Sequence, residues 1–239
     1  MFRTILFFAI YLPFTGLCIA IAILVSLFST ADRVHAMATL WGKVGLKLAG
    51  ARIQAIGTEN IPQDQPAIYM ANHQSNFDIQ TLYAGLPIQF RWLAKKELFD
   101  VPFFGLAMKR AGYIPVDRSN RKRAIQSMAV AADKIRQGAS VVVFPEGTRS
   151  PDGQLLPFKK GGFMLALESG APIIPVAISG SRDLMAKHSL RICGGTVNIR
   201  FFPAIDTSVL TVADRDRLLD DVFASISSAV SVESEPNES

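Results

Sequence analysis

The chain changes character twice along its length. From Thr4 to Ala31 no residue is charged and most are apolar, a run longer than the ~20 apolar residues that cross a bilayer core. It lacks a convincing signal-peptidase site and exceeds a signal h-region, so it is expected to be retained. Pro13 and Gly16 interrupt it and permit a kink, which leaves a re-entrant or shallow arrangement open beside a straight span. Next, Met37, Leu40, Trp41, Val44 and Leu48 recur as one helical stripe, with Arg33, Lys43 and Lys47 off it. Such a stripe suits a helix lying on a membrane with anionic lipids, or a helix packed on a core. Directly after the uncharged run it reads as the second half of a two-helix membrane-anchoring segment, residues 1–50. Arg33, Lys43 and Lys47 outnumber Arg3 and the amino terminus, which favours the cytoplasmic face of the inner membrane for whatever follows.

From about residue 51 short apolar runs alternate with amphipathic ones. Strands are expected near Arg52 to Ile56, Pro66 to Ala71, Phe90 to Ala94, Gly112 to Val116, Val141 to Phe144, Ile173 to Ile178 and Val197 to Phe202. Helices are expected near Asn76 to Ala84, Phe103 to Arg110, Arg121 to Arg136, Gly162 to Glu168 and Val212 to Val230. Ala124, Met128, Ala131 and Ile135 would form the buried stripe of the helix after Asn120. This alternation predicts an α/β domain over residues 51–230, with a mostly parallel central sheet flanked by helices. Ser231 to Ser239 is polar and acidic with a proline, the composition of a disordered tail.

Composition adds two constraints. The only cysteines, Cys18 and Cys193, offer neither a disulfide framework nor metal spacing, and His35, His73 and His188 lack ligand spacing. No metal and no resident cofactor is therefore expected. The net charge of +5 is concentrated: eleven basic residues stand against four acidic ones from Arg91 to Arg136, so an anionic partner is implied. Aromatics do not interleave with these charges, and no nucleic-acid motif is present, which argues against nucleic acid.

The candidate chemistry starts at Asn72-His73-Gln74-Ser75-Asn76-Phe77-Asp78, after an expected strand. Five steps along a helix would turn His73 and Asp78 about 140° apart. They meet only if the helix begins between them, with Ser75 or Asn76 as N-cap. His73 could then act as a base oriented by Asp78. Alone, a histidine and an aspartate at this spacing carry little weight. Four further stretches lie at strand ends or in the turns after them, where open α/β sheets place ligands. Lys95-Lys96-Glu97-Leu98 with Pro102 to Gly105 offers phosphate capture or only solvated lysines. Gly112 to Asp117 delivers Arg118, suited to bidentate phosphate recognition or to a salt bridge with Asp117 or Asp78. Phe144-Pro145-Glu146-Gly147-Thr148-Arg149-Ser150 sets a carboxylate, a hydroxyl and a guanidinium on one tight turn. Pro172 to Ile178 reads first as core strand.

Taken in order, Asn72 to Asp78, Gly112 to Arg118, Phe144 to Ser150 and Pro172 to Val176 resemble the motifs of the glycerolipid acyltransferases, the family of bacterial and organellar 1-acyl-sn-glycerol-3-phosphate acyltransferases. Lys95 to Gly105 is similar to that family's segment between its first two motifs. The resemblance implies transfer of an acyl group from acyl-CoA or acyl carrier protein to the sn-2 hydroxyl of lysophosphatidic acid, giving phosphatidic acid. It implies catalysis by His73 and Asp78, with Lys95, Arg118, Glu146, Gly147, Thr148 and Arg149 binding substrate. Because the acceptor hydroxyl is itself the nucleophile, no seryl or cysteinyl nucleophile is needed. A backbone N–H near Ile174 or Val176 is one possible oxyanion donor. Another lysolipid or glycerol 3-phosphate as acceptor, or a non-catalytic binder of anionic lipid docked on a membrane, are the alternatives. His73 and Asp78 are expected within hydrogen-bond reach, facing Arg118 and Glu146 across one pocket.

Overall fold

The computed structural model describes residues 1–232, and the tail expected beyond them lies outside the described residues. Two helices come first, α1 (Phe2–Phe28) and α2 (Ala31–Ala49). A seven-stranded sheet follows: β1 (Ala51–Ile56), β2 (Ile68–Ala71), β3 (Phe90–Lys95), β4 (Ile114–Val116), β5 (Ser140–Val143), β6 (Ile173–Ser179) and β7 (Gly195–Phe201). Between and after the strands lie α3 (Phe77–Gly85), α4 (Phe104–Arg110), α5 (Arg121–Arg136), α6 (Gly161–Ser169), the single turn α7 (Ser181–Leu184) and α8 (Arg215–Val232). The strand order is β1-β7-β6-β2-β5-β3-β4, parallel throughout except for the β6–β7 pair. All seven expected strands form. The helix α7 was not anticipated, since four residues carry no usable periodicity.

Alternation along the central strands sorts the core into two layers. Tyr69 and Ala71 of β2, with Val142 of β5, face a layer built by α1, α2, α3 and α4. Ile68, Met70, Val141 and Val143 face the opposite layer of α5, α6 and α8. Every residue of β2, β5 and β6 is buried, as expected for strands covered on both faces.

The two N-terminal helices are part of this packing. Helix α1 runs unbroken through Pro13, so the interruption read there does not split it. Phe7, Tyr11, Cys18 and Ala22 turn inward, while Phe2, Ile5, Leu12, Leu24 and Phe28 remain exposed. Ile192 N donates to Thr4 Oγ1 at 3.0 Å, fixing the start of α1 to the loop before β7. Helix α2 buries a different face from the stripe read in the sequence. Val34, His35, Gly42, Gly45, Leu46 and Ala49 are buried, whereas Leu40 is exposed and Trp41 only half-buried. Small residues explain the offset, because they carry little hydropathy yet allow close approach. A Cβ on Gly42 would sit 2.8 Å from Tyr83 Cβ, and one on Gly45 would sit 2.5 Å from Tyr11 Oη. Trp41 instead joins α1: its indole donates to Thr15 Oγ1 at 2.9 Å and its ring stacks on Tyr11. Below it, His35 Nδ1 lies 3.2 Å from the Tyr113 hydroxyl, which lies 2.6 Å from that of Tyr83. Burial pushes His35 down to about 4, so it is neutral when docked.

The close helix contacts give a direct stability test. Gly42→Val should lower the melting temperature, corresponding to about 1–3 kcal/mol of overpacking against α3. Gly16→Ala, whose Cβ meets nothing within 4 Å, should be neutral or stabilising by up to about 1 kcal/mol. Thermal unfolding of both variants in detergent provides the comparison.

Candidate active site

The parallel strands β2, β3, β4 and β5 deliver their C-terminal ends to one place, and the singled-out residues lie there. Where β2 stops, the Asn72 side chain replaces a strand residue: its amide donates to Ile178 O at 2.8 Å and accepts from Ile178 N at 2.7 Å. This continues the ladder to β6 by one rung and sets the direction of His73.

The loop after His73 wraps around a carboxylate. Asp78, fully buried in the first turn of α3, accepts at Oδ2 from Gln74 N at 2.7 Å and Ser75 N at 2.8 Å. His73 Nδ1 lies 2.7 Å from the same oxygen. The positive end of α3 also favours the charge. The carboxylate accepts a hydrogen bond from Nδ1–H, which leaves Nε2 as the basic nitrogen. The cap differs in detail from expectation: Asn76 makes no side-chain cap, and Ser75 Oγ instead accepts from Phe77 N at 3.2 Å and donates to Met185 O at 2.7 Å. One face of the imidazole stacks on Phe144, with centroids 3.9 Å apart and planes within 10°. Phe144 in turn stacks on Trp92. The stacking partner was not singled out in the sequence, although its position just before Pro145 at a strand end was the available signal.

The turn after β5 holds His73 from behind. Glu146 is only 2% exposed and points inward: Oε1 accepts from His73 N at 2.6 Å and Oε2 from Leu156 N at 3.0 Å. Ser150 N donates to His73 O at 2.7 Å, so this segment engages both backbone groups of His73. Burial pushes the Glu146 carboxyl up to about 7, against the two amide bonds that favour its charge. Glu146 and Asp78 thus lie behind His73, whereas Gly147, Thr148 and Arg149 line the cavity in front. Gly147 adopts φ 72°, and a Cβ there would also meet Lys159 Nζ at 2.8 Å. Among the described residues the amide N–H groups of Thr148 and Arg149 have no hydrogen-bond partner.

Cations surround the opening. Arg118 Nη1 donates to Gly147 O at 2.7 Å and forms no ion pair among the described residues. Asp117 does not serve as its partner, because it is engaged by Ser119, Lys96 and Arg123. The Ser119 bonds hold the Asp117 carboxyl down at about 2. Arg149 has no ion pair among the described residues, and Lys95 lies 3.6 Å from an equally exposed Glu97. The result is a site for an anion. Ile174 and Val176 do not reach it. They lie inside β6, fully buried and paired with Tyr69 and Ala71 of β2, and neither lines the cavity, so their amides do not face an oxyanion there. Among the described residues no three His, Cys, Asp or Glu side chains group to hold a metal ion.

Behind the polar opening the cavity turns apolar. It encloses about 580 Å³ between α1, α2, α3, α4 and β3, with Ile19, Met37, Trp41, Ile79, Met108 and Leu93 among its walls. Its volume matches a small-molecule or lipid site. The structure therefore brings His73, Lys95, Arg118, Gly147, Thr148 and Arg149 to one cavity, polar at one end and apolar at the other.

Residues 52–179 match the acyltransferase family model. Human 1-acyl-sn-glycerol-3-phosphate acyltransferase alpha is 38% identical over 176 residues, covering 73% of this chain and 62% of that protein. The chloroplastic 1-acyl-sn-glycerol-3-phosphate acyltransferase BAT2 of Brassica napus is 36% identical over 65% of this chain and 45% of its own length. The match thus spans 45–62% of the length of these curated relatives. The crystal structure of the 1-acyl-sn-glycerophosphate acyltransferase PlsC from Thermotoga maritima aligns with a TM-score of 0.82 and 26% identity, over 99% of this chain and 97% of that one. With the family model spanning more than half of its residues, and the same fold along almost its whole length, this chain belongs to the acyltransferase family.

Proposed function

We propose that this chain transfers a fatty acyl group from a thioester, carried by coenzyme A or by acyl carrier protein, to the sn-2 hydroxyl of lysophosphatidic acid. The product is phosphatidic acid. One observation carries the reading: the His73–Asp78 pair, 2.7 Å apart, serves the same cavity as Arg118 and Arg149, which form no ion pair among the described residues. The names of the relatives agree with it.

The step balances with donor and acceptor alone, and the proposal includes no resident metal or cofactor. His73 Nε2 removes the hydroxyl proton as the oxygen attacks the thioester carbonyl. The tetrahedral intermediate collapses, the C–S bond breaks, and the imidazolium returns the proton to the departing thiolate. Asp78 stabilises the imidazolium between these events. Arg118 and Arg149, with Lys95, hold the acceptor phosphate, and the free amides of Thr148 and Arg149 add donors at the same rim. Glu146 acts one step removed, fixing the backbone of His73.

The apolar end of the cavity would take an acyl chain, with each buried methylene contributing about 0.8 kcal/mol. Lipids of this kind reside in a membrane, and α1 is the one described helix long and apolar enough to cross one. Its packing favours a different placement. Its 27 residues would span ~40 Å, yet Thr4, Phe7, Tyr11, Cys18 and Ala22 are held against the domain along most of that length. The helix would then lie along the leaflet, with its exposed leucines and phenylalanines in lipid. We propose the cytoplasmic face of the inner membrane for the domain, the side on which a thioester of coenzyme A or acyl carrier protein is supplied.

The reading is tested by supplying purified protein with lysophosphatidic acid and an acyl thioester, and measuring free thiol together with phosphatidic acid. Thiol release that needs glycerol 3-phosphate or another lysolipid would reassign the acceptor; no release with any of them would leave a lipid binder. His73→Ala should lower kcat by about 10²- to 10⁴-fold while lipid binding persists. Arg118→Leu should raise KM for the acceptor by about 10- to 100-fold, the loss of a charge-assisted contact to phosphate, with KM for the thioester little changed. Glu146 supplies a pH signature. Its carboxyl ionises near 4.5 when unfolded but about 7 in the fold, so the fold holds the extra proton between these values. The stability it contributes is present in full below the lower value and is lost as pH rises through the upper one. Between about pH 5 and 8 the melting temperature of the parent should therefore fall relative to that of Glu146→Gln.

A further inference from the structure

The segment between β3 and α4 carries an arrangement that neither the fold nor the chemistry requires. Phe103 has φ 60° and ψ −50°, and Phe104 N donates across it to Pro102 O at 2.6 Å. This is a three-residue γ-turn of the positive-φ kind, rare and strained for a side-chain-bearing residue. Surrounding contacts lock it. Gly105 N donates to Val101 O at 2.8 Å and Ala107 N to Phe103 O at 2.9 Å, and Gly105 packs so closely on the Phe99 carbonyl that no Cβ would fit. The strained residue holds its phenyl ring in the open, 71% exposed. Leu98, Val101, Phe104 and Leu106 around it are exposed as well.

Three observations identify what covers this patch. Leu98 and Phe104 also line the cavity, so the patch is the outer lip of the site. Helix α4 packs on α1, so the patch adjoins the outward apolar face of α1 that includes Leu17, Leu24 and Leu27. Lys96, Lys109 and Arg110 stand exposed beside it, against Glu97 and Asp100, which leaves the margin net cationic. An apolar tip with a cationic collar, continuous with an apolar helix face, is complementary to a bilayer bearing anionic lipids.

We propose that the Val101 to Leu106 turn is a membrane-inserting wedge, with Phe103 at its tip, that opens the leaflet at the cavity lip. A lysolipid would pass sideways from the leaflet between Leu98 and Phe104 into the cavity, its phosphate staying at the level of Arg118 and its chain never crossing water. The proposal rests on the reading of the cavity as a lipid site.

Two measurements test it, the first independently of that reading. Phe103→Trp places an indole at the tip, and its emission is compared with that of the parent, which contains Trp41 and Trp92. With vesicles of phosphatidylethanolamine and phosphatidylglycerol carrying brominated acyl chains, quenching should exceed that of the parent. Equal quenching in the two proteins, with both bound to the vesicles, would overturn the wedge whether or not the chain is an acyltransferase. Phe103→Gly removes the ring and relieves the strained φ, so folding is preserved. It should raise KM for lysophosphatidic acid presented in vesicles by about tenfold, in line with one phenyl ring withdrawn from lipid, and leave kcat and KM for a short-chain, water-soluble acceptor unchanged. Unchanged kinetics with both acceptors, or equal losses with both, would overturn the proposal. An absence of acyl transfer in the parent itself would instead count against the proposed function and leave the quenching result standing.

Discussion

The site depends on keeping one carboxylate charged without water. Asp78 is fully buried, and such a charge survives only when its surroundings replace hydration. The first turn of α3 supplies a favourable field, and the amides of Gln74 and Ser75 supply hydrogen bonds. Meeting that requirement folds the loop back on itself and leaves the His73 ring as the third partner of the same oxygen. The imidazole has little freedom after that. Phe144 covers one of its faces, Glu146 holds its backbone N–H, and Ser150 binds its carbonyl. A base held from so many directions is already arranged for proton transfer before any substrate arrives.

The sheet then determines what that base can meet. Parallel strands point their C-terminal ends the same way, so residues from separate parts of the chain share one rim. The layer of α1 to α4 covers the face behind the rim and leaves an apolar space. The two ends of the cavity therefore differ as the two ends of a lysophospholipid differ, phosphate against chain. The same helices that wall the cavity also carry exposed apolar surface, so the site and that surface are built from the same elements.

Much of this was legible in the sequence. The strands announced themselves as short apolar runs, because burial on both faces of a parallel sheet removes polar alternation. The His73 to Asp78 spacing implied a helix starting between them, and α3 starts at Phe77. Other features were not legible, for identifiable reasons. The packing face of α2 depends on Gly42 and Gly45, whose contribution is the absence of a side chain rather than hydropathy. Glu146 read as a residue facing substrate, since a charged residue on a turn is normally exposed; its burial depends on amides of His73 and Leu156 that are distant in sequence. Phe103 read as the start of a helix, and nothing in its identity signals a positive φ.

Direct transfer, with the acceptor hydroxyl as nucleophile and His73 as its base, is the centre of the account. It is tested most directly by a single-turnover experiment: protein in excess over acyl thioester is mixed first without acceptor and then with lysophosphatidic acid, while free thiol and the mass of the protein are followed. The account requires no thiol and no acylated protein before the acceptor is added, and one equivalent each of thiol and phosphatidic acid afterwards. Stoichiometric thiol release before the acceptor, with the protein carrying the acyl mass, or no release after it, would contradict the account.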